Sequence, residues 1–247
     1  MLVLLPPSEG KTPRRRGRPV GLDALSFPAL TAARTEVLTA LEKASASPDA
    51  LELLGVGPSL TAEVERNTRL LTTPAVPVAE LYSGVLYDAL DPATLPTGAR
   101  RRAASRLVVV SALWGALRPG DRVPPYRLSM DVDLPGVGPL SAFWRAHLPP
   151  VLDELTAGRL VVDCRSSTYA AAWRPAGGAV AVRVLRERDG RRSVVSHMAK
   201  HTRGLVVRHL LQREGRDPRT PEALARAVGE AFTCELGGDV LDVVVRD

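Results

Sequence analysis

The stretch Leu107 to Asp131 reads LVVVSALWGALRPGDRVPPYRLSMD. It opens on an apolar, β-branched run, Leu107 to Val110, which is the pattern of a buried strand. Arg118-Pro119-Gly120-Asp121 and Pro124-Pro125 then break the chain, both with strong turn chemistry. Tyr126-Arg127-Leu128 follows at once. Ser111, Trp114, Arg118, Tyr126 and Arg127 therefore gather polar, stacking and anion-binding groups near one strand edge, and the functional cleft is expected there.

Working outward, Leu2 to Leu5 and Leu160 to Cys164 are further short apolar runs of strand type. Leu30, Ala33, Val37, Leu38 and Leu41 form a helical stripe between Leu25 and Ala44. Ser59 is placed to cap a helix over Leu60 to Leu71. The stretch Leu140 to Leu155 reads as one helix, and so does Lys200 to Arg213. Tyr126 to Val132 reads as extended. Asp189-Gly190, between Ala179 to Arg186 and Ser193 to His197, signals a hairpin, as does Gly237-Gly238 between Phe232 to Leu236 and Val240 to Val245. Buried strands mixed with hairpins predict an α/β fold: a mixed sheet with surrounding helices. No linker or repeat divides the chain, so a single domain over residues 1–247 is expected.

The net charge is +6 and the pI about 9.9, which favours anionic partners. Of the 33 basic residues only Lys11, Lys43 and Lys200 are lysines. Lysine titrates where arginine does not, and two of these three fall in motif segments. No apolar run reaches membrane-span length, and Met1 to Pro7 is too short and lacks the basic start of a signal peptide, so a cytoplasmic protein with no membrane partner is expected. Cys164 and Cys234 lack metal-ligand spacing. His197, His201 and His209 show no zinc pattern, and neither metal nor cofactor is expected.

Gly10-Lys11-Thr12 after a strand has the ending of a P-loop, but Leu5 stands where that motif needs glycine, and the P-loop is rejected. Leu54-Gly55-Val56-Gly57-Pro58-Ser59 resembles the turn of a helix-hairpin-helix element, placed at about 49–71. In that element Gly55, Gly57 and Ser59 would offer backbone N–H groups to a phosphate; a plain helical hairpin is the alternative. Lys200 and Arg203, three apart on a helix, share a face near its start, which suits an anion. Tyr82 and Tyr87 can stack on a base or pack beneath the cleft. Phe143-Trp144 is read as core.

These residues resemble one family. Val110 to Met130 is similar to the signature LSGLYGxLRPxDxxxPYRLEM of the YaaA family. Ser8-Glu9-Gly10-Lys11-Thr12 is similar to its SPAKT segment, with Glu9 and Gly10 departing. Ala199 to Gly204 is similar to its AKKARG, with His201 and Thr202 departing. Ser167-Thr168 stands where the family has an acidic pair. The resemblance implies a YaaA-like single domain containing a helix-hairpin-helix-like element. It further implies a peroxide-stress protein that binds duplex DNA without sequence preference through a positively charged cleft and helps limit free-iron damage.

Two functions stay open. In the first, a non-enzymatic protein binds duplex DNA or another phosphate-bearing ligand through Lys11, Gly55, Gly57, Ser59, Arg118, Tyr126, Arg127, Lys200 and Arg203. In the second, an enzyme acts on a nucleotide-like or phosphorylated small molecule, with Ser8, Lys11, Tyr126 and Lys200 as its polar groups and lysine-based chemistry.

Overall fold

The computed structural model describes residues 1–194 and 196–246. Its main sheet has eight strands: β1 Leu2–Leu5, β2 Leu107–Ser111, β3 Gly115–Leu117, β4 Val161–Asp163, β5 Val180–Arg188, β6 Arg191–Val194, β7 Cys234–Gly237 and β8 Val240–Arg246. The order is β7-β8-β5-β4-β1-β2-β3, with β6 beside β5. The pairs β1–β2, β1–β4, β4–β5 and β5–β8 are parallel; the hairpins β2–β3, β5–β6 and β7–β8 are antiparallel. This is the mixed sheet expected from the sequence.

β1 lies between two parallel neighbours, and all four of its residues, Leu-Val-Leu-Leu, are inaccessible, as in a sheet covered on both faces. Burying each such side chain is worth about 1.5–3 kcal/mol. The helix Thr31–Ser45 turns Ala33, Val37, Leu38 and Leu41 into the core, as its stripe requires. Buried Arg34 on the same helix donates to the carbonyls of Trp114 and Ala116 (3.0 and 2.8 Å) and so fastens the β2–β3 hairpin. The Asp189-Gly190 turn has positive φ at both residues (52° and 71°), the conformation that a two-residue hairpin needs.

Several expectations are corrected. The Leu140 to Leu155 helix is two, Leu140–His147 and Pro149–Thr156, because Pro149 and Pro150 cannot donate to a continuous ladder. Tyr126 to Val132 carries no strand. The stretch 49–71 holds two short α-helices, Ala50–Leu53 and Thr61–Arg66, joined through Gly55 at φ +62°, the second flanked by 3-10 turns at Pro58–Leu60 and Asn67–Arg69; Ser59 sits in the first of these turns and caps nothing. The strand expected over Ser193 to His197 takes in residue 195, which is outside the described residues, as is the side chain of His197. What is described there is β6 ending at Val194 and a helix Ser196–Gln212 that starts earlier than Lys200. Lys200 and Arg203 thus lie beyond the first turn, where the helix dipole has faded. Among the described residues no helix is long and apolar enough to cross a membrane.

Candidate functional site

A cleft of about 460 Å³ opens at the carboxyl ends of β1 and β4, where ligands collect in sheets of this kind. Each side of it is fixed by a local rule. β1 stops at Pro6-Pro7, since proline cannot extend the ladder. The following loop is stitched to Leu81–Ser83: Thr12 N–H donates to Leu81 O (2.8 Å) and Ser83 N–H to Gly10 O (3.0 Å). This delivers Ser8, Glu9 and Lys11 to the cleft. Tyr87 forms another side, its hydroxyl donating to Pro6 O at 2.7 Å.

Arg127 enters from the loop after the second proline break. Fully buried Asn67 grips its backbone at both ends: Arg127 N–H donates to Asn67 Oδ1 (2.9 Å) and Asn67 Nδ2 donates to Arg127 O (2.8 Å). The guanidinium then meets Glu9 (2.9 Å) and Glu63 (3.5 Å). After β4, Asp163 binds Arg165 through two nitrogens (2.9 and 2.7 Å), leaving Cys164, Ser166, Thr168 and Tyr169 along the cleft.

Lys200 and Arg203 reach the cleft from the helix Ser196–Gln212. Arg203 Nε donates to Val182 O at 2.9 Å. This helix approaches Val85–Leu90 closely at Gly204, where an added Cβ would fall 2.3 Å from Leu86 O. Only glycine permits that contact.

Lys11 is the chemically distinctive group. Its Nζ donates to the carbonyls of Ser8 (2.8 Å) and Glu9 (3.2 Å) and lies 4.4 Å from the centre of the Tyr126 ring. Burial, followed by the repulsion of Arg127, lowers its pKa from 10.5 to about 7. Beneath it runs a buried hydroxyl chain. Trp114 N–H donates to Ser111 Oγ (3.1 Å), and Ser111 Oγ shares hydrogen bonds onward to Tyr126 (2.7 Å) and from Tyr126 to Tyr82 (2.9 Å). Burial pushes both tyrosines up, so they stay protonated. Cys164 is likewise pushed up by burial, to about 12, so it is a thiol rather than a nucleophile.

Ser8, Lys11, Arg127, Lys200 and Arg203 therefore line one cavity, with Tyr126 buried under Lys11. Arg118 does not join them, contrary to expectation. β3 runs antiparallel to β2, so the chain has travelled back before Arg118 emerges, and its guanidinium donates to Ser105 O and Leu107 O (3.0 and 3.2 Å) at the opposite strand end. Gly55, Gly57 and Ser59 are also absent from the lining. Sequence reasoning missed Asn67, Ser129, Asp131 and Tyr169. Asp131 and Ser129 stood inside the decisive segment; Asn67 had no local signal, because its partner is 60 residues away. Cationic side chains in the lining (Lys11, Arg127, Lys200, Arg203) outnumber carboxylates (Glu9, Asp131). Among the described residues no group of three or more His, Cys, Asp or Glu could hold a metal ion.

A family model described as peroxide stress protein YaaA matches residues 1–235. The chain is 51% identical over 234 residues to a UPF0246 protein of Streptomyces coelicolor, covering 92% of this chain and 89% of that protein. It is 41% identical over 239 residues to a UPF0246 protein of Corynebacterium efficiens, covering 96% and 95%. It is 35% identical over 181 residues to one from Cereibacter sphaeroides, covering 70% of each.

Proposed function

The chain belongs to the peroxide stress protein YaaA family, and we propose that it serves that response from the cytoplasm, as one domain, by binding a phosphate-bearing ligand of nucleotide size in its cleft. The observation that carries this is the convergence of Lys11, Arg127, Lys200 and Arg203 on a cavity of about 460 Å³ at the strand carboxyl ends. A cavity of that volume is of the class that encloses small molecules. Cations in a partly enclosed site act on phosphate oxygens with less screening than on an open surface. Arg127, with its backbone held by Asn67, would exchange exposed Glu9 for a phosphate oxygen, while Lys200 offers a mobile point charge.

A second reading is non-specific binding of duplex DNA, through which free-iron damage would be limited. The net charge of +6 and the exposed run Arg14, Arg15, Arg16 and Arg18 favour it. The Gly55–Ser59 turn would then supply backbone N–H groups to a phosphate.

The test is calorimetry with nucleoside phosphates and a labelled-duplex titration across salt, on the parent and on Lys200→Ala. Lys200 is exposed, so its loss leaves the melt within about 0.5 kcal/mol. The cleft reading expects nucleotide binding that weakens at least about tenfold in the variant, the loss of one phosphate contact of about 1.4 kcal/mol. Duplex binding with a steep salt dependence, unmoved by Lys200→Ala and without any nucleotide binding, would select the second reading.

A further inference from the structure

We infer that Lys11 is an amine nucleophile that forms an imine with the carbonyl of a phosphorylated aldehyde or ketone seated in this cleft. The inference rests on the reading that the cleft takes a phosphate-bearing ligand, and it names what else that ligand carries.

An ammonium has three N–H donors, whereas a neutral amine has two and one lone pair. Lys11 Nζ has two carbonyl acceptors, Ser8 O and Glu9 O. The nearby carboxylates that could have held it as an ammonium are engaged elsewhere: Glu9 and Glu63 both pair with Arg127. Among the described residues Lys11 has no salt bridge. For this half-buried amine without a carboxylate partner, desolvation and the neighbouring Arg127 guanidinium outweigh the two carbonyls and the Tyr126 ring, which favour the ammonium.

The lowered pKa agrees with this arrangement. It gives on the order of a thousandfold more free amine at neutral pH than an ordinary lysine. Arginine could not do this, since it stays protonated; in a chain with 30 arginines the lysine has a chemical reason to be there. Lys200 and Arg203 line the same cavity and are left to hold the phosphate, together with Arg127, whose guanidinium it would share with Glu9 and Glu63. One ligand spanning both features has a carbonyl at one end and a phosphate at the other.

The step balances without any redox partner. The Nζ lone pair attacks the carbonyl carbon and forms the C–N bond. The carbonyl π pair moves to oxygen, which takes up a proton as nitrogen loses one. The resulting carbinolamine loses its hydroxyl and the second nitrogen proton as water, leaving the imine; addition of water reverses the sequence.

The experiment uses the full chain and pyridoxal 5′-phosphate as probe, a phosphorylated aldehyde, with borohydride to fix any imine and peptide mapping to place it. Three lysines and one N-terminus make the map unambiguous. At limiting probe and neutral pH, Lys11 should label at least about tenfold over exposed Lys43, as its larger free-amine fraction requires. Labelling should rise through a midpoint near 7, fall on adding inorganic phosphate, and vanish from this position in Lys11→Arg. Labelling of Lys11 no greater than that of Lys43 would overturn the inference, as would equal labelling by unphosphorylated pyridoxal. Calorimetry with inorganic phosphate separates the two claims. Phosphate binding without Lys11 labelling sinks the imine and leaves the cleft reading standing; no phosphate binding and no protection sinks both. The mapping is done on the parent protein, so it does not depend on any variant folding.

Discussion

Replacing Lys11 by methionine should stabilise the protein at acidic pH and not at alkaline pH. Folding lowers the Lys11 pKa from 10.5 to about 7. Between those values the unfolded chain holds a proton that the folded chain has released, so stability rises with pH across that window. Below pH 7 both states are protonated and the folded protein bears the whole penalty of a confined charge. At about 1.4 kcal/mol per tenfold, the fall from 10.5 to about 7 corresponds to about 5 kcal/mol. Lys11 is partly exposed, so solvent screening leaves about half of that. Methionine keeps the length and removes the charge, but strands the Ser8 and Glu9 carbonyls at about 1 kcal/mol. The net gain at pH 6 is then about 1–2 kcal/mol, a rise in Tm of about 2–8 °C for a chain of this size. By pH 9.5 most of the parent's Lys11 penalty has gone and the gain should vanish. Urea melts of both proteins at the two pH values measure the difference directly, and contributions from other titrating groups cancel in it. A parent-to-variant difference that is the same at pH 6 and pH 9.5 would refute the claim that Lys11 is held in a charge-excluding site.

Asn67→Ala should cost about 2–3 kcal/mol, because it leaves the backbone N–H and carbonyl of Arg127 without their partner; nucleotide binding followed well below the melt should weaken as well, and unchanged binding would show that Arg127 is positioned by something else. Gly204→Ala should destabilise by about 3 kcal/mol, since its Cβ would lie 2.3 Å from Leu86 O and 2.8 Å from Ala89 Cβ; a melt matching the parent's would mean that the two helices separate at no cost. Arg118→Ala should lose about 1 kcal/mol with its two carbonyl contacts and leave nucleotide affinity untouched; a drop in affinity would restore this arginine to the site.

The amino-acid sequence by itself determined what depends on near neighbours. Leu2–Leu5 and Leu107–Ser111 are strands because short apolar runs bounded by turn residues bury both faces in the sheet. Asp189-Gly190 is a hairpin because those two residues tolerate positive φ. The Thr31–Ser45 helix follows from a stripe whose repeat matches its turn. The signature from Val110 to Met130 was specific enough to identify the family, and it supplied Arg127, Leu128 and Ser129 to the cleft. Tertiary structure alone decided the rest. Arg118 left the site because β3 pairs antiparallel with β2, a matter of strand direction that spacing does not encode. Asn67 came to hold Arg127 in place because folding closed a gap of 60 residues. The lowered pKa of Lys11 is the clearest case. Nothing in Ser8-Glu9-Gly10-Lys11-Thr12 marks a neutral amine. Its charge is disfavoured by desolvation on burial and by the nearness of Arg127. Those are set by distance in space, which local propensity does not fix.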